Sequence, residues 1–102
     1  MKSSLEKQFH QDMVSIYTTA KKECGYVASR FLQLVSSEGG LRAAKQLIRK
    51  PGGTDGFATL WQCGRLDLSV EAHVLNPKYR ELFTDEEIAL CRARLQEFHY
   101  SI

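Results

Sequence analysis

The sequence predicts an all-α single domain, a compact bundle of five to seven short helices within 102 residues. Apolar residues recur at helical spacing in most segments, and only one stretch alternates as a strand does. Glycine pairs and Asn76-Pro77 divide the second half into short pieces. Hydroxyl residues followed three positions later by a carboxylate precede the first and the last apolar stripe. Together these signals place helix boundaries around one shared core.

The first predicted helix covers residues 4–24 and is the longest. Ser3-Ser4-Leu5-Glu6 matches a capping box, in which a hydroxyl and a carboxylate satisfy amide donors of the opening turn. Cys24-Gly25 ends the helix, because glycine readily adopts the left-handed closing conformation. The apolar stripe at helical spacing consists of Leu5, Phe9, Met13, Ile16, Tyr17 and Ala20.

Two further helices are predicted on either side of Gly39-Gly40, over about 27–37 and about 40–50. Pro51-Gly52-Gly53 ends the second of them, because proline lacks an amide donor and disfavours helix at the preceding residue. Residues 51–56 are predicted to form a glycine-rich surface loop. The inward-facing positions of the two helices are Phe31, Leu34, Val35, Leu41, Ala44, Leu47 and Ile48.

A short fourth helix is predicted around Phe57, Leu60 and Trp61, and Gly64 closes it. The aromatic pair Phe57 and Trp61 is the predicted anchor of the core.

The stretch 65–74 has two interpretations. It alternates polar and apolar residues, which is typical of a half-buried strand. A helix with Ser69 as N-cap and Glu71 in its first turn is the competing interpretation. We favour the helix, because no other segment alternates and an unpaired strand cannot satisfy its backbone groups.

The last third of the chain carries the clearest helix signals. Asn76 caps a short helical turn over Pro77–Leu82, and proline suits the first helical position. Thr84 and Glu87 form a capping box that begins a helix over about 85–98. On that helix Ile88, Cys91, Leu95 and Phe98 are predicted to face inward, and Arg92 and Arg94 to lie in solvent. The predicted core comprises Phe31, Leu47, Phe57, Leu60, Trp61, Val70, Val74, Phe83, Ile88 and Leu95.

Composition favours an ordinary intracellular globular protein. Hydrophobic residues make up 43% and charged residues 25%, and the formal net charge is +2. No apolar run approaches the roughly 20 residues of a membrane span, and the N-terminus has no apolar signal segment. Three cysteines, Cys24, Cys63 and Cys91, lie far apart, so we expect small buried hydrophobic residues rather than disulfides.

A series of residues in the second half of the chain has a characteristic order and spacing. It includes Gly39-Gly40, Ala43-Ala44-Lys45, Gly56-Phe57, Leu60, Arg65–Glu71, Val74-Leu75, Tyr79, Leu82-Phe83-Thr84 and Glu86-Glu87. In this order and spacing, residues 25–100 resemble a widespread small bacterial domain, often found as a stand-alone hypothetical protein. The resemblance implies a bacterial or phage origin and a cytoplasmic location. It implies no activity.

The sequence gives little support to catalysis, and we expect no cofactor and no metal. The closest Cys/His pair, Cys91 and His99, is eight residues apart, whereas structural zinc sites show close pairs. A nucleophile elbow, a phosphate loop and a dinucleotide fingerprint are all lacking. Cys63 could be an exposed nucleophile, although a buried thiol is the simpler interpretation. Asp67 and Glu71, four residues apart, are interpreted as a solvated helix face.

Two functions fit the remaining pattern. The leading hypothesis is a non-enzymatic protein-interaction module, including self-association as a homodimer, whose first helix contacts the partner through Phe9, Met13 and Tyr17. The same stripe could instead simply cover the other helices. The alternative function is a small helix-turn-helix-like accessory protein that binds DNA through a basic face. That face comprises Arg42, Lys45, Arg49 and Arg65.

Overall fold

Six α-helices and two short 3-10 helices form the computed structural model, which describes residues 2–49 and 56–100, with side chains from residue 4. The all-α prediction is confirmed. The α-helices are α1 (Lys2–Cys24), α2 (Ser29–Glu38), α3 (Gly40–Ile48), α4 (Phe57–Gln62), α5 (Val70–Val74) and α6 (Asp85–Glu97). The 3-10 helices are Leu66–Leu68 and Pro77–Leu82. None of the described helices is both long and apolar enough to cross a membrane.

The predicted beginning of α1 is wrong and its end is correct. The helix already begins at Lys2, so Ser3 lies inside the first turn and cannot be the N-cap of a capping box. At the other end α1 stops at Cys24, and Gly25 takes a φ of 65°. That left-handed conformation is strained for residues with a Cβ, which explains why a glycine follows the helix.

The glycine pair between α2 and α3 serves two different purposes. Gly39 has a φ of 86°, which turns the chain between the helices. Gly40 lies against α1, where a Cβ would stand 2.6 Å from the Cα of His10. The Gly40 amide also donates a hydrogen bond to His10 Nδ1 at 2.9 Å. The beginning of α3 is therefore held against α1, and only glycine allows that approach.

The helical interpretation of 65–74 is confirmed. The Ser69 hydroxyl accepts a hydrogen bond from the Ala72 amide at 3.1 Å and caps α5. The predicted caps further along are also confirmed. Asn76 accepts from the Lys78 amide at 3.0 Å, and Thr84 and Glu87 form a complete capping box.

Most of the predicted core is buried, with one clear error. Phe31 is half-buried against the core, and the other predicted core residues except Trp61 are buried. Trp61 is 47% exposed, and its ring contacts Phe98 in a T-shaped arrangement with centroids 5.4 Å apart. Phe57 alone anchors this end of the core, 4.8 Å from the same Phe98 ring. The predicted loop 51–56 lies outside the described residues, apart from Gly56.

The predicted partner-binding stripe of α1 is largely internal. Phe9 and Met13 are 0% exposed, because their side chains fill the main core between α1, α3 and the Pro77–Leu82 helix. Neither side chain can contact a partner while the protein is folded, so both are wrong as interface residues. Tyr17 is half-buried. The stripe covers the other helices, as the competing interpretation of its spacing predicts.

Candidate interaction groove

An open groove with a volume of about 740 Å³ lies where α2, α4 and the C-terminal half of α1 meet. This volume falls within the range of about 300–1,000 Å³ typical of ligand-binding pockets. Its floor consists of the buried residues Ile16, Ala20, Ala28, Leu47, Leu60 and Val70. Its walls are formed by Tyr26, Val27, Phe31 and Leu34, which are all at least partly exposed.

The linker between α1 and α2 shapes one wall of this groove. After the turn at Gly25, the Tyr26 amide donates a hydrogen bond to the Ala20 carbonyl at 3.2 Å. The Tyr26 ring packs against Gly56, where a Cβ would lie 2.7 Å from Cε2 of the ring. Val27 then projects into solvent and is 50% exposed. Val27 thus adds exposed apolar surface to the wall directly beside the apolar floor.

The rim of the groove carries a positive charge at the beginning of α2. Arg30 lies beside Phe31 and is exposed. Among the residues that the structure describes, no carboxylate forms an ion pair with Arg30. A carboxylate on a bound molecule would therefore find an accessible partner there.

The four predicted DNA-binding residues do not form one continuous set. Lys45 and Arg49 converge on the buried Glu87 carboxylate, at 2.8 and 3.0 Å. Arg42 is exposed and stands 4.0 Å from Glu38. Arg65 instead joins Asp67 at 3.0 Å and Glu23 at 2.8 Å.

Glu87 is an electrostatic centre that the sequence only partly reveals. Burial alone would raise the pKa of this carboxyl, but hydrogen bonds from Lys45, the Thr84 amide and Arg49 outweigh it and lower the pKa to about 2. The group is thus ionised at neutral pH and neutralises charge on α3. Its capping role was predicted, whereas its contacts with α3 were not.

The prediction of a solvated face shared by Asp67 and Glu71 is wrong. Because α5 begins only at Val70, Asp67 lies outside that helix and pairs with Arg65, which lowers its pKa. Glu71 is completely buried and accepts a hydrogen bond from Arg94 at 2.9 Å. The Arg94 side chain is 12% exposed, so its predicted place in solvent is also wrong. A buried carboxylate needs such a counter-charge.

The expectation that the cysteines form no disulfide is wrong. Cys24 and Cys63 form a disulfide, with Cα atoms 5.9 Å apart, although 39 positions separate them in sequence. The fold brings the ends of α1 and α4 together, which sequence spacing could not reveal. Cys63 is therefore no free nucleophile, and cysteine usage no longer argues for an intracellular setting.

The third cysteine behaves as expected. Cys91 is free and completely buried, and burial followed by the charge of Glu71 raises the pKa of its thiol to about 12. A thiol with this pKa is not a nucleophile at neutral pH. Within residues 2–49 and 56–100, no three His, Cys, Asp or Glu side chains converge as metal ligands would.

The groove residues Val27 and Arg30 were missed in the sequence. The available signal was Gly25, which ends α1 and forces a linker whose apolar residues Tyr26 and Val27 belong to no helix face. No protein-family model, curated protein or solved structure matches this chain.

Proposed function

We propose that this protein is a non-enzymatic interaction module that binds a short apolar segment of another protein in the groove. The observation that carries the proposal is a groove with a buried apolar floor and partly exposed apolar walls beside an exposed arginine, Arg30. The proposal moves the interaction surface away from Phe9 and Met13 to Val27, Phe31 and Leu34. The resemblance of residues 25–100 to a bacterial domain is our reason to propose a bacterial or phage setting. It also favours the cytoplasm, whereas the Cys24–Cys63 disulfide favours an oxidising compartment.

The chemistry of the groove specifies the partner. Apolar walls favour a segment with two or three aliphatic or aromatic side chains, since burying apolar surface contributes about 25 cal/mol per Å². One face of an amphipathic helix presents such anchors at suitable spacing. Arg30 at the rim favours an aspartate or glutamate beside those anchors. Exposed ion pairs contribute mainly specificity and association rate, so the carboxylate selects the partner rather than supplying most affinity.

The DNA-binding alternative has weaker support. Lys45 and Arg49 share the Glu87 carboxylate, which reduces the positive potential that phosphates would meet. Arg65 is held by Glu23 and Asp67. A DNA-binding protein gains most of its nonspecific affinity from cations that phosphates can neutralise.

A peptide-display selection tests the proposal. Random short peptides are selected on immobilised protein, and the affinities of the enriched peptides are measured by calorimetry. We expect apolar anchors together with Asp or Glu in the enriched sequences. In the Arg30→Glu protein the preferred charged residue should change to Lys or Arg, because the rim charge is reversed.

Two valines provide a matched control. Val27→Asp should weaken peptide binding by at least about tenfold, which corresponds to about 1.4 kcal/mol. Val14→Asp replaces a valine that is 36% exposed outside the groove and should leave the affinity unchanged. Equal effects of both substitutions, or a selection that enriches no common sequence, would overturn the proposal.

Light scattering tests self-association through the groove, and DNA titration tests the alternative function. A concentration-dependent dimer that Val27→Asp disrupts would make a second copy of the chain the occupant and contradict the peptide proposal. Salt-sensitive binding to labelled duplex DNA that is lost in Arg42→Ala/Arg49→Ala would support the alternative function instead.

A further inference from the structure

The Cys24–Cys63 disulfide lies at one end of the groove. Cys24 is the last residue of α1, one turn after Ala20, and Cys63 directly follows α4, three residues after Leu60. Ala20 and Leu60 both belong to the groove floor. The covalent bond therefore joins the two elements that carry these floor residues.

Phe57 and Trp61 hold α4 against Phe98, with ring centroids 4.8 and 5.4 Å apart, but few contacts other than the disulfide join its C-terminal end to α1. The helix is only six residues long, and Phe57 and Leu60 are its buried side chains. A helix this short is not stable without tertiary contacts. Beside the disulfide, Arg65 pairs with Glu23 at 2.8 Å, where both side chains are at least one-third exposed to solvent. Such surface ion pairs contribute little and weaken with salt, so the disulfide is the stronger of the two links between the ends of α1 and α4.

We propose that this disulfide is a redox-sensitive latch that holds α4 against α1 and thereby maintains the groove. Cys63 is exposed and Cys24 half-buried, so Sγ of Cys63 is the accessible point of attack. The reductant is a dithiol, either a small molecule or a protein with a paired thiol. One of its thiolates attacks Sγ of Cys63 and displaces Cys24 as a thiolate, which takes up a proton. Its second thiol then breaks the mixed disulfide, so two electrons and two protons pass to the cysteine pair while the reductant becomes a disulfide.

The consequence for binding depends on the proposed function. Reduction frees the Leu60 end of α4 from Ala20, so part of the floor is no longer fixed. A peptide must then restore the arrangement when it binds, which lowers its apparent affinity. Oxidation has the opposite effect, because the groove is then already formed before a peptide binds.

Hydrogen exchange of individual amides tests the latch without any ligand. The relevant amides lie in α4 and directly after it: those of Leu60, Cys63 and Arg65 donate to the carbonyls of Gly56, Thr59 and Leu60. The reference amides are those of Ala43 and Ile88 in α3 and α6. Addition of dithiothreitol should lower protection in α4 by at least about tenfold more than at the reference amides, because the local opening becomes easier. Equal changes in both sets, or no change in either, would overturn the latch.

Three protein variants complete the test. Cys24→Ser/Cys63→Ser should reproduce the reduced pattern and should not respond to dithiothreitol. Cys91→Ala keeps the disulfide and should still respond, which excludes an effect through the buried thiol. Glu23→Gln removes the adjacent ion pair and should increase the loss of α4 protection on reduction. Circular dichroism verifies that each variant retains its helix content.

Peptide affinity separates the latch from the proposed function. A peptide from the display selection should bind the oxidised protein at least about tenfold more tightly than the reduced protein. If no peptide binds the oxidised protein, the proposed function fails while the exchange data still decide the latch. If α4 loosens on reduction but the affinity stays the same, the link between the latch and the groove is wrong.

Discussion

The Glu87 carboxylate accepts a hydrogen bond from Lys45 Nζ at 2.8 Å and thereby joins the first turn of α6 to α3. The same carboxylate accepts from the Thr84 amide at 2.9 Å and completes the capping box. Arg49 adds a third contact at 3.0 Å. Glu87, which the local sequence identifies as part of a helix cap, thus also links two helices that are distant in sequence. It neutralises part of the predicted basic face.

Acid should weaken the fold through Glu87. Because the pKa of this group falls from 4.5 to about 2 on folding, its contribution is present above pH 4.5 and is lost as the pH falls towards 2. A shift of this size corresponds to at most about 3 kcal/mol of unfolding free energy. Urea unfolding at a series of pH values measures it. Glu87→Gln should be less stable at neutral pH and show a flatter pH profile, whereas Glu86→Gln, an exposed neighbour, should behave as wild type.

Removing Arg94 should destabilise the protein strongly. Arg94→Ala leaves the Glu71 carboxylate buried without this counter-charge, and broken buried pairs cost about 3–5 kcal/mol. Chemical denaturation measures the loss. Arg92→Ala, at an exposed position of the same helix, should change stability by less than about 0.5 kcal/mol. Similar stabilities of the two variants would show that the Glu71–Arg94 pair contributes little.

Local sequence signals predicted most of the fold, because caps and stripes act over a few residues. Ser69, Asn76 and Thr84 each cap the helix that follows, as predicted. The N-terminal capping box failed, since α1 already begins at Lys2. The predicted burial of Trp61 failed for a different reason: it depends on how the chain around Phe98 packs on the ring, and spacing along the sequence does not determine this.

The sequence does not indicate which distant residues form ion pairs or disulfides. Glu71 and Arg94 meet across 23 positions, and Cys24 and Cys63 across 39. No local pattern identifies either pair. In the sequence, each charged residue could equally be a solvated side chain, and each cysteine could equally be a free buried thiol. The same is true of the groove: its floor and walls combine residues from five helices and the α1–α2 linker, so its existence depends on how those helices cross.

Gly40→Ala should destabilise the protein, which is the opposite of what helix propensity predicts. Propensity alone would give a gain of up to about 1 kcal/mol. The new Cβ would lie 2.6 Å from the backbone Cα of His10, so α1 and α3 would have to separate. Overpacking of this kind costs about 1–3 kcal/mol. Thermal unfolding shows directly whether the substitution stabilises or destabilises the protein. A raised unfolding midpoint would contradict the close contact between Gly40 and His10. Ser36→Ala, at an exposed position of α2, is the control.

Thiol counting should distinguish all three cysteines. The native oxidised protein should not react with an alkylating reagent at neutral pH, because Cys91 is buried and the pKa of its thiol is raised to about 12. Denaturation without reductant should expose one reactive thiol, and denaturation with reductant all three cysteines. Mass spectrometry reads the number of added groups. Rapid labelling of the native protein at Cys63 would contradict the disulfide and restore the nucleophile hypothesis.

Nuclear magnetic resonance mapping of a bound peptide tests most directly whether the groove is the binding site. An acidic, apolar peptide from the display selection is titrated into the oxidised protein, and backbone amide shifts are followed residue by residue. Binding in the groove should give the largest shifts at Ala20, Val27, Arg30 and Leu34. Shifts that concentrate instead on α3 around Arg42, or that spread over the chain without a centre, would contradict it.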